Sequence, residues 1–464
     1  MPAPFARVLL LASLLLPSPA TAQPTAPTTY ERAIAAGYKA SMLCSGIFNA
    51  GRSEAQVEAD ELKGIYPQYA AILPELKAVV DRRIRTVTVA FDETLPPRRA
   101  AWSRGFGCTN MPIGHVPMIV TGYDAPLSRA VASDALPWPM GDRGALAARK
   151  PSAALTALVG RAFDRASFGK DSETTGVVVV QDGRIIAERY REGFDPNVSN
   201  RTWSVAKSIA GTLIGIAAQQ KLVDIARPAR IPEWGTVVHD PRGRITLDNL
   251  LRMASGLHSD TAGNRTDAIY FGGTAVTDQA IGWPLGAKPG TRFRYANNDT
   301  LLAIRALRAT VGDARYAAFL QTELFDKIGM TRTVAERDWR DNFILSSQVW
   351  STARDLARLG LLYVNDGVWQ GERLLPADWV DYVTRPSGPQ PETGPGYGAA
   401  FWLFGPDQGL PAGSYAAQGN RGQYVMIVPS RKLVIVRRGE DPGGARFDIA
   451  KFSADMLAAL ANRN

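Results

Sequence analysis

The sequence predicts an α/β protein whose main domain is one antiparallel sheet flanked by helices, with an all-helical part inserted. Two hairpin patterns lie near opposite ends of this domain. The first has apolar runs on both sides of Asp182-Gly183, and the second has apolar runs on both sides of Pro429-Ser430. The sequence between them is mostly helical in pattern. Because strands occur at both ends, we expect the two hairpins to close a single sheet around the inserted helices.

The N-terminus has the features of a secretory signal. Arg7 precedes the apolar run 8–16, and Ala20-Thr21-Ala22 fits a cleavage site with small side chains. The run is too short to span a bilayer, and no later stretch is long enough. We therefore expect residues 1–22 to be a signal peptide, the mature protein to be periplasmic or secreted, and no stable membrane span to remain. A retained membrane anchor is the alternative.

Residues 23–150 are predicted to form a small accessory module followed by a linker. A Pro/Thr/Ala-rich tether at 23–29 precedes a helical pattern at 30–48. A capping-box pattern at 53–56 opens a second helix, and residues 85–91 alternate like a strand. Prolines and glycines mark 134–151 as the linker to the main domain.

The sequence contains two cysteines, Cys44 and Cys108, and both lie in the accessory module. In an exported protein an even number of cysteines suggests a disulfide. Closing a loop of this length would contribute on the order of 4 kcal/mol of stability in the chain-entropy model. We predict a Cys44–Cys108 disulfide, with two separate buried thiols as the alternative.

The candidate chemistry of the main domain begins with Ser204 and Lys207, which would share one face of a helix. The following stretch, 209–218, is apolar or small, so this helix is expected to be buried, with Gly211 and Gly215 in close contact with another element. Burial should lower the pKa of Lys207, which can then accept the Ser204 proton and make that serine a nucleophile. A Ser-x-x-Lys pair also occurs by chance, so the rest of the chain must support the assignment.

Competing catalytic designs find little support. The chain has no Gly-x-Ser-x-Gly, no His-Glu-x-x-His, no phosphate loop and no dinucleotide fingerprint. Its three histidines are interpreted as structural, although His258 lies close in sequence to the proposed site. The formal net charge is +9, but Lys and Arg are dispersed and no nucleic-acid-binding signature occurs. We expect no metal, no other cofactor and no nucleic-acid partner.

A lysine-assisted serine also needs a group that relays the proton. Tyr295 and Asn297 follow a turn at 288–294, which would expose a Tyr-x-Asn sequence. A tyrosine beside a lysine can have its pKa lowered by the cation and can pass a proton. The alternative is an ordinary surface tyrosine.

A lysine-assisted serine also needs backbone N–H donors that stabilise the developing oxyanion. Gly419 directly precedes the C-terminal strand, and a glycine there lets a substrate approach the strand edge closely. The N–H of Asn420 is then expected to pair with the N–H of Ser204 as an oxyanion hole. A glycine-rich surface turn is the alternative.

Together these motifs resemble the serine β-lactamase superfamily, most of all its class C-like esterases and 6-aminohexanoate-dimer hydrolases. The resemblance covers about 155–460, in order, and rests on WSVAKS (203–208), ITLDNLLRMASGL (245–257), PGTRFRYAN (289–297), FDKIGM (325–330), STARDLARLGLL (351–362) and GERLLPADW (371–379). It implies a β-lactamase-like fold for residues 151–464 and an acyl-enzyme mechanism. By motif, Ser204 would be the nucleophile, Lys207 the base, Tyr295 the proton relay and Asn297 an amide that holds substrate.

One motif departs from the family pattern. After Ser-x-x-Lys and Tyr-x-Asn, the third catalytic motif of the family is usually Lys-Thr-Gly or His-x-Gly, but this chain has Ala417-Gln418-Gly419 at that position. The missing cation argues against carboxylate recognition as in penicillin binding, and Arg421 is a nearby candidate substitute. We therefore expect an exported serine hydrolase whose partner is a small ester or amide. A β-lactamase or D-amino peptide hydrolase and a non-catalytic penicillin-binding-like sensor are the alternatives.

Overall fold

A computed structural model of the protein describes residues 26–116, 135–147, 150–236, 239–258, 266–386 and 388–461. The predicted signal peptide, 1–22, lies outside these ranges, as does the first part of the predicted tether. In the described ranges, no helix has both the length and the apolar character needed to cross a membrane.

The α-helices, in chain order, are α1 (Thr29–Phe48), α2 (Glu54–Glu61), α3 (Ala153–Arg161), α4 (Val205–Gln219), α5 (Leu247–Leu251), α6 (Asp267–Tyr270), α7 (Val276–Gln279), α8 (Asn297–Val311), α9 (Asp313–Leu320), α10 (Asp326–Ile328), α11 (Ala353–Val364), α12 (Trp379–Thr384) and α13 (Ile449–Ala461).

The β-strands, numbered in the same way, are β1 (Ala78–Asp81), β2 (Thr86–Val89), β3 (Arg98–Ser103), β4 (Gly107–Asn110), β5 (Thr174–Gln181), β6 (Arg184–Tyr190), β7 (Asn200–Arg201), β8 (Val334–Ala335), β9 (Val349–Ser351), β10 (Val368–Trp369), β11 (Glu372–Arg373), β12 (Gly396–Tyr397), β13 (Trp402–Phe404), β14 (Ser414–Gly419), β15 (Gln423–Val428) and β16 (Leu433–Gly439).

The central element is a seven-stranded antiparallel sheet in the order β12-β13-β14-β15-β16-β5-β6. The C-terminal hairpin β15–β16 pairs with the N-terminal hairpin β5–β6 through β16 and β5, with Val434 opposite Val180. The prediction that the two hairpins close one sheet is therefore confirmed. The helices α4 to α10 lie between β6 and β9 in the chain, as the inserted helical part was expected to do.

Both faces of this sheet are covered because its central strands are apolar on both sides. In β5, Val178 and Val180 join the core that includes α4 and α11, whereas Val177 and Val179 join a second core with α3 and α13. The predicted close packing of α4 is also found. A Cβ on Gly215 would lie 2.5 Å from Cε2 of Trp379, so only glycine fits there without displacing the indole. This packing fixes α4 and thus the residues at its start.

The N-terminal region is a four-stranded antiparallel sheet, β1-β2-β3-β4, with α1 packed across it. The predicted first helix and strand correspond to α1 and β2, and the Ser53 side chain caps α2 by accepting from Gln56 N at 3.2 Å. The predicted disulfide between Cys44 and Cys108 is present and joins α1 to β4.

The N-terminal region is joined to the main domain by buried polar contacts as well as by a shared apolar core. The side chains of Ser45 and Asn49 and the backbone N–H of Cys108 donate to Oε1 of Glu336, at 2.5, 2.9 and 3.1 Å. Such a satisfied buried network holds its parts in one arrangement. The region is thus fixed against the helical part of the main domain.

Candidate active site

Ser204 stands at the N-terminal end of α4, at the end of the turn that follows β7. The preceding residue, Trp203, has a φ of 50°, which is unusual for a bulky side chain. The buried guanidinium of Arg201 lies 3.9 Å from the centre of the Trp203 ring and helps to hold this conformation. The turn places Ser204 at the positive end of the helix dipole, where a developing negative charge is favoured.

Lys207 lies one turn further along α4, with Nζ 3.0 Å from Oγ of Ser204. Nζ also donates to Oδ1 of Asn297 at 2.6 Å and to the backbone oxygen of Ser346 at 2.9 Å. The lysine is 2% exposed, and burial lowers its pKa to about 7. A neutral amine has two N–H donors and one lone pair. In the ammonium form, Nζ donates to Oγ of Ser204. In the neutral form, the two carbonyl oxygens can take both donors, and the lone pair is then available to accept from the Ser204 hydroxyl.

Asn297 is the first residue of α8, and both ends of its amide have partners. Its Oδ1 accepts from Lys207, and its Nδ2 donates to Oγ1 of Thr266 at 3.0 Å. Asn297 also lines the cleft beside Ser204. It therefore positions the lysine amine, and the substrate contact expected from its motif stays a prediction.

Tyr295 completes the group around Ser204. The Ser204 side chain hydrogen-bonds to the Tyr295 hydroxyl, and Nζ of Lys207 lies 5.0 Å from the centre of the tyrosine ring. Trp402 packs against the ring at a centroid distance of 5.3 Å. Burial raises the pKa of Tyr295 to about 12, against the opposing effect of the Ser204 hydrogen bond. The expected lowering of this pKa is wrong in direction, because desolvation of the phenol dominates.

Gly419 ends β14 directly beside the nucleophile. A Cβ at this position would lie 2.3 Å from the Thr202 oxygen and 3.1 Å from the Ser204 nitrogen, so no larger residue fits. Asn420 follows and lines the same cleft, with its Oδ1 accepting from the backbone N–H of Arg421 at 2.9 Å. The structure thus brings together the two segments expected to supply the oxyanion donors. That role itself stays a prediction.

Arg421 does not present its guanidinium to the cleft in the way a substitute cation would. Its side chain is buried, pairs with the carboxylates of Glu440 and, at 3.4 Å, Glu61, and donates to the backbone oxygens of Glu440 at 2.8 Å and Asp441 at 3.1 Å. The suggestion that Arg421 replaces the missing cation of the third motif is therefore not supported.

Arg446 is a cation that motif analysis missed. It is exposed, it lines the cleft, and no carboxylate in the described part of the chain lies within ion-pair distance of it. It lies in the loop between β16 and α13, outside every motif of the family pattern, so the sequence carries no signal for its role.

The cleft that contains Ser204 has a volume of about 740 Å³. Aromatic side chains such as Trp203, Trp402 and Tyr424 line it together with polar and charged residues such as Gln418 and Arg446. Part of the wall comes from residues 65–68 of the N-terminal region, which motif analysis left without a function. These residues are more than 130 positions from Ser204 in the chain, so only the folded structure reveals that they share a cavity with it.

Comparisons with known proteins identify the family of the chain. The family model described as Beta-lactamase matches residues 161–459. A 6-aminohexanoate-dimer hydrolase from Paenarthrobacter ureafaciens is 27% identical over 317 residues, which cover 63% of this chain and 79% of the relative.

Two solved structures share the fold. One, from Bacillus anthracis and provisionally named a 6-aminohexanoate-dimer hydrolase, has a TM-score of 0.54 and 23% identity over 68% of this chain and 88% of its own. The other, a provisionally named β-lactamase from Bacteroides dorei, has a TM-score of 0.55 and 18% identity over 68% of this chain and 100% of its own. The resemblance and the fold class predicted from the sequence are confirmed. The chain belongs to the β-lactamase family and is a serine hydrolase similar to 6-aminohexanoate-dimer hydrolases.

Proposed function

We propose that this chain hydrolyses small esters or amides through an acyl-enzyme on Ser204, with Lys207 as general base and Tyr295 as proton relay. The observation that carries the proposal is the 3.0 Å contact between Nζ of Lys207 and Oγ of Ser204. Burial lowers the pKa of that lysine to about 7, so a large share of its amine is neutral at physiological pH. An activated serine of this kind is a nucleophile for carbonyl carbons.

In the acylation step, the neutral amine of Lys207 takes the hydroxyl proton as Oγ of Ser204 attacks the substrate carbonyl. The negative charge that develops on the carbonyl oxygen is stabilised by the N–H groups of Ser204 and Asn420 and by the dipole of α4. Asn297 helps to hold Nζ of Lys207 beside Ser204, because its Oδ1 accepts a hydrogen bond from Nζ.

Tyr295 then supplies the proton that the leaving group needs. Its pKa of about 12 keeps the phenol protonated at neutral pH, which suits a donor. The phenol gives its proton to the departing oxygen or nitrogen and regains one from the ammonium of Lys207. In deacylation, water gives a proton to the neutral amine of Lys207 and attacks the acyl carbon. Oγ of Ser204 then leaves and takes that proton from the Lys207 ammonium.

The substrate class follows from the cleft and from the relatives. The aromatic residues in its lining suit apolar acyl or leaving groups, and the similarity to a 6-aminohexanoate-dimer hydrolase supports a linear amide. The absent cation of the third motif and the engaged side chain of Arg421 count against a penicillin-type substrate. The intact set of Ser204, Lys207 and Tyr295 counts against a non-catalytic sensor.

We also propose that the protein acts outside the cytoplasm. The signal-like pattern at 1–22 supports this location. The buried disulfide between Cys44 and Cys108 supports it as well, because disulfides persist mainly in oxidising compartments.

The proposed function is tested by incubating the pure protein with nitrophenyl esters, a linear 6-aminohexanoate amide and β-lactams, followed by intact-mass measurement. We expect turnover of esters or the linear amide, an acyl adduct on Ser204, and neither turnover nor adduct in Ser204→Ala. Ser208→Ala is the matched control, since Ser208 lies one turn away on α4 and donates to the Ala400 oxygen at 2.6 Å. Hydrolysis by pure Ser204→Ala would overturn the assignment.

A further inference from the structure

One wall of the cleft comes from outside the residues that match the family. Ile65, Tyr66, Pro67 and Gln68, which we call the N-terminal wall, line the same cavity as Ser204. The family match begins only at residue 161. The wall thus lies outside the residues that match the family model, although it shares the cavity with Ser204.

The N-terminal wall is held in place by the aromatic core beneath it. The ring of Tyr66 packs edge-on against Tyr38 and Phe271, at centroid distances of 4.9 and 5.5 Å. It also lies 6.3 Å from the ring of Trp203, the residue before the nucleophile. Edge-to-face aromatic contacts fix both distance and orientation. The wall is therefore placed relative to Ser204 by packing and not by a single flexible contact.

The chain is also tied down on both sides of the wall. After it, the Tyr69 hydroxyl donates to Oδ2 of Asp267 in α6, at 2.7 Å. Before it, Glu61 at the end of α2 accepts from Nη1 of Arg52 at 2.8 Å and pairs with Arg421 at 3.4 Å. Since Arg421 directly follows Asn420, the wall and the predicted oxyanion loop are braced by the same buried ion pairs.

Most of the wall is apolar. Ile65, Tyr66 and Pro67 carry no charge, Gln68 is a neutral amide, and Trp402 and Tyr424 line the same cavity. A substrate that places an alkyl chain or an aryl ring between these surfaces removes apolar area from water, which favours binding. A substrate with only an acetyl group and a small alcohol has nothing to place there.

We propose that the N-terminal wall determines specificity by selecting substrates with an extended apolar group, either an alkyl chain of about four or more carbons or an aryl ring. This inference rests on the function proposed for Ser204 and adds the substrate class to it. Ile65 is the side chain through which it is tested, because it lines the cavity without belonging to the aromatic cluster that holds the wall.

The experiment compares kcat/KM of the full chain and of Ile65→Ala in two ester series. The first keeps an ethyl ester and lengthens the acyl group from acetate to hexanoate. The second keeps the acetyl group and lengthens the alcohol from ethyl to hexyl. In Ile65→Ala we expect the ratio of kcat/KM for the longest ester to kcat/KM for the shortest to fall about five- to tenfold in one series. This is near the lower end of the discrimination that a hydrophobic pocket achieves per group.

Ile84→Ala is the matched control. Ile84 lies in the same N-terminal region, is 49% exposed and does not line the cleft, so its truncation should leave both ratios as in the parent. Pro67→Ala is a second variant of the wall and should lower the same ratio as Ile65→Ala.

If both wall variants keep the long-to-short kcat/KM ratios of the parent, the inference is overturned. The proposed function still stands in that case, provided that turnover depends on Ser204. Turnover in Ser204→Ala would instead overturn the proposed function. A ratio that falls equally in Ile84→Ala would also overturn the inference, because the effect would then belong to the stability of the region and not to the wall.

Discussion

Gly419 lies so close to Ser204 that a Cβ added to the glycine would sit 3.1 Å from the serine nitrogen. The same Cβ would meet the Thr202 oxygen at 2.3 Å, which forces β14 and the start of α4 apart. The two segments carry the N–H groups assigned to the oxyanion hole. We therefore expect their relative position to affect the rate directly.

We expect Gly419→Ala to lower kcat/KM by about 100-fold or more, the cost typical of losing an oxyanion donor. Gly405→Ala is the control, since a Cβ there meets nothing within 4 Å and the backbone is extended, with φ of −168°. Steady-state kinetics and thermal unfolding of both variants make the comparison. Parental kcat/KM in folded Gly419→Ala would contradict the proposed donor pair.

The pH dependence should follow the protonation of Lys207. Its pKa of about 7 predicts that kcat/KM rises with pH through neutrality, because only the neutral amine accepts the serine proton. The pKa of Tyr295, about 12, predicts an alkaline plateau without an early fall. A profile measured between about pH 5 and 10 checks both, and a rate that falls with pH across neutrality would exclude the neutral amine as base.

Asp299 supplies the control for this profile. Burial raises the pKa of this carboxyl to about 7 as well, with Ser255 donating to it at 2.8 Å. Asp299→Asn should therefore keep the rise near neutrality. If the rise disappears in this variant, it reports the carboxyl group and not Lys207.

Replacing Lys207 and replacing Tyr295 should have different effects on acylation. Lys207→Ala removes the group that deprotonates Ser204 and should suppress acylation itself. Tyr295→Phe keeps the amine but removes the donor to the leaving group, so it should lower kcat strongly while some acylation persists. Pre-steady-state bursts with a nitrophenyl ester separate the two outcomes. If Lys207→Ala acylates as fast as the parent, the lysine is not the base.

The contact between Lys207 and Asn297 predicts a shift in the profile. Asn297→Asp would place a carboxyl where Oδ1 now lies, 2.6 Å from Nζ, and a carboxylate there stabilises the ammonium form. We expect the midpoint of the kcat/KM profile to move to higher pH by about one unit or more. Asn298→Asp is the control, because Asn298 donates to the Ala280 oxygen at 3.1 Å instead of contacting Lys207. An unchanged midpoint in Asn297→Asp would show that the group at position 297 does not influence the pKa of Lys207.

Arg446 should contribute to substrates that carry a carboxylate. Because it is exposed, its ion pair with substrate is worth at most about 1 kcal/mol, so Arg446→Ala should lower kcat/KM for such an amide by up to about fivefold. Neutral esters should be unaffected, and the difference should shrink in high salt. Arg431→Ala, at the turn between β15 and β16, is the control. Equal losses for neutral and anionic substrates would assign Arg446 a structural role.

The features that the sequence predicted well are local ones. Ser204 and Lys207 are three residues apart on one helix, so their contact follows from helix geometry. The hairpins were predictable because Asp182-Gly183 and Pro429-Ser430 are short turn signals between apolar runs. The cysteine pair was predictable from the even number of cysteines and the predicted export, without knowledge of the fold.

The features that were missed depend on contacts between distant residues. The sequence does not show that Arg421 is already paired, because Glu61, one of its partners, is 360 residues away in the chain. Arg421 was therefore a candidate for the missing cation of the third motif. The pKa of Tyr295 was predicted in the wrong direction because its burial comes from tertiary packing against residues such as Trp402. The residues 65–68 had no motif at all, and only the position of α2 and Tyr66 against the main domain brings them to Ser204.

The pairing of β5 with β16 also constrains the order in which the chain can acquire its structure. The ribosome completes β5 about 250 residues before β16, a delay of roughly ten seconds or more at about 5–20 residues per second. Until then one edge of β5 has no partner strand, and its run of valines from Val177 to Val180 is exposed to other chains. We therefore expect nascent chains to expose this strand edge for longer than a meander of sequence-adjacent strands, such as β1 to β4, would.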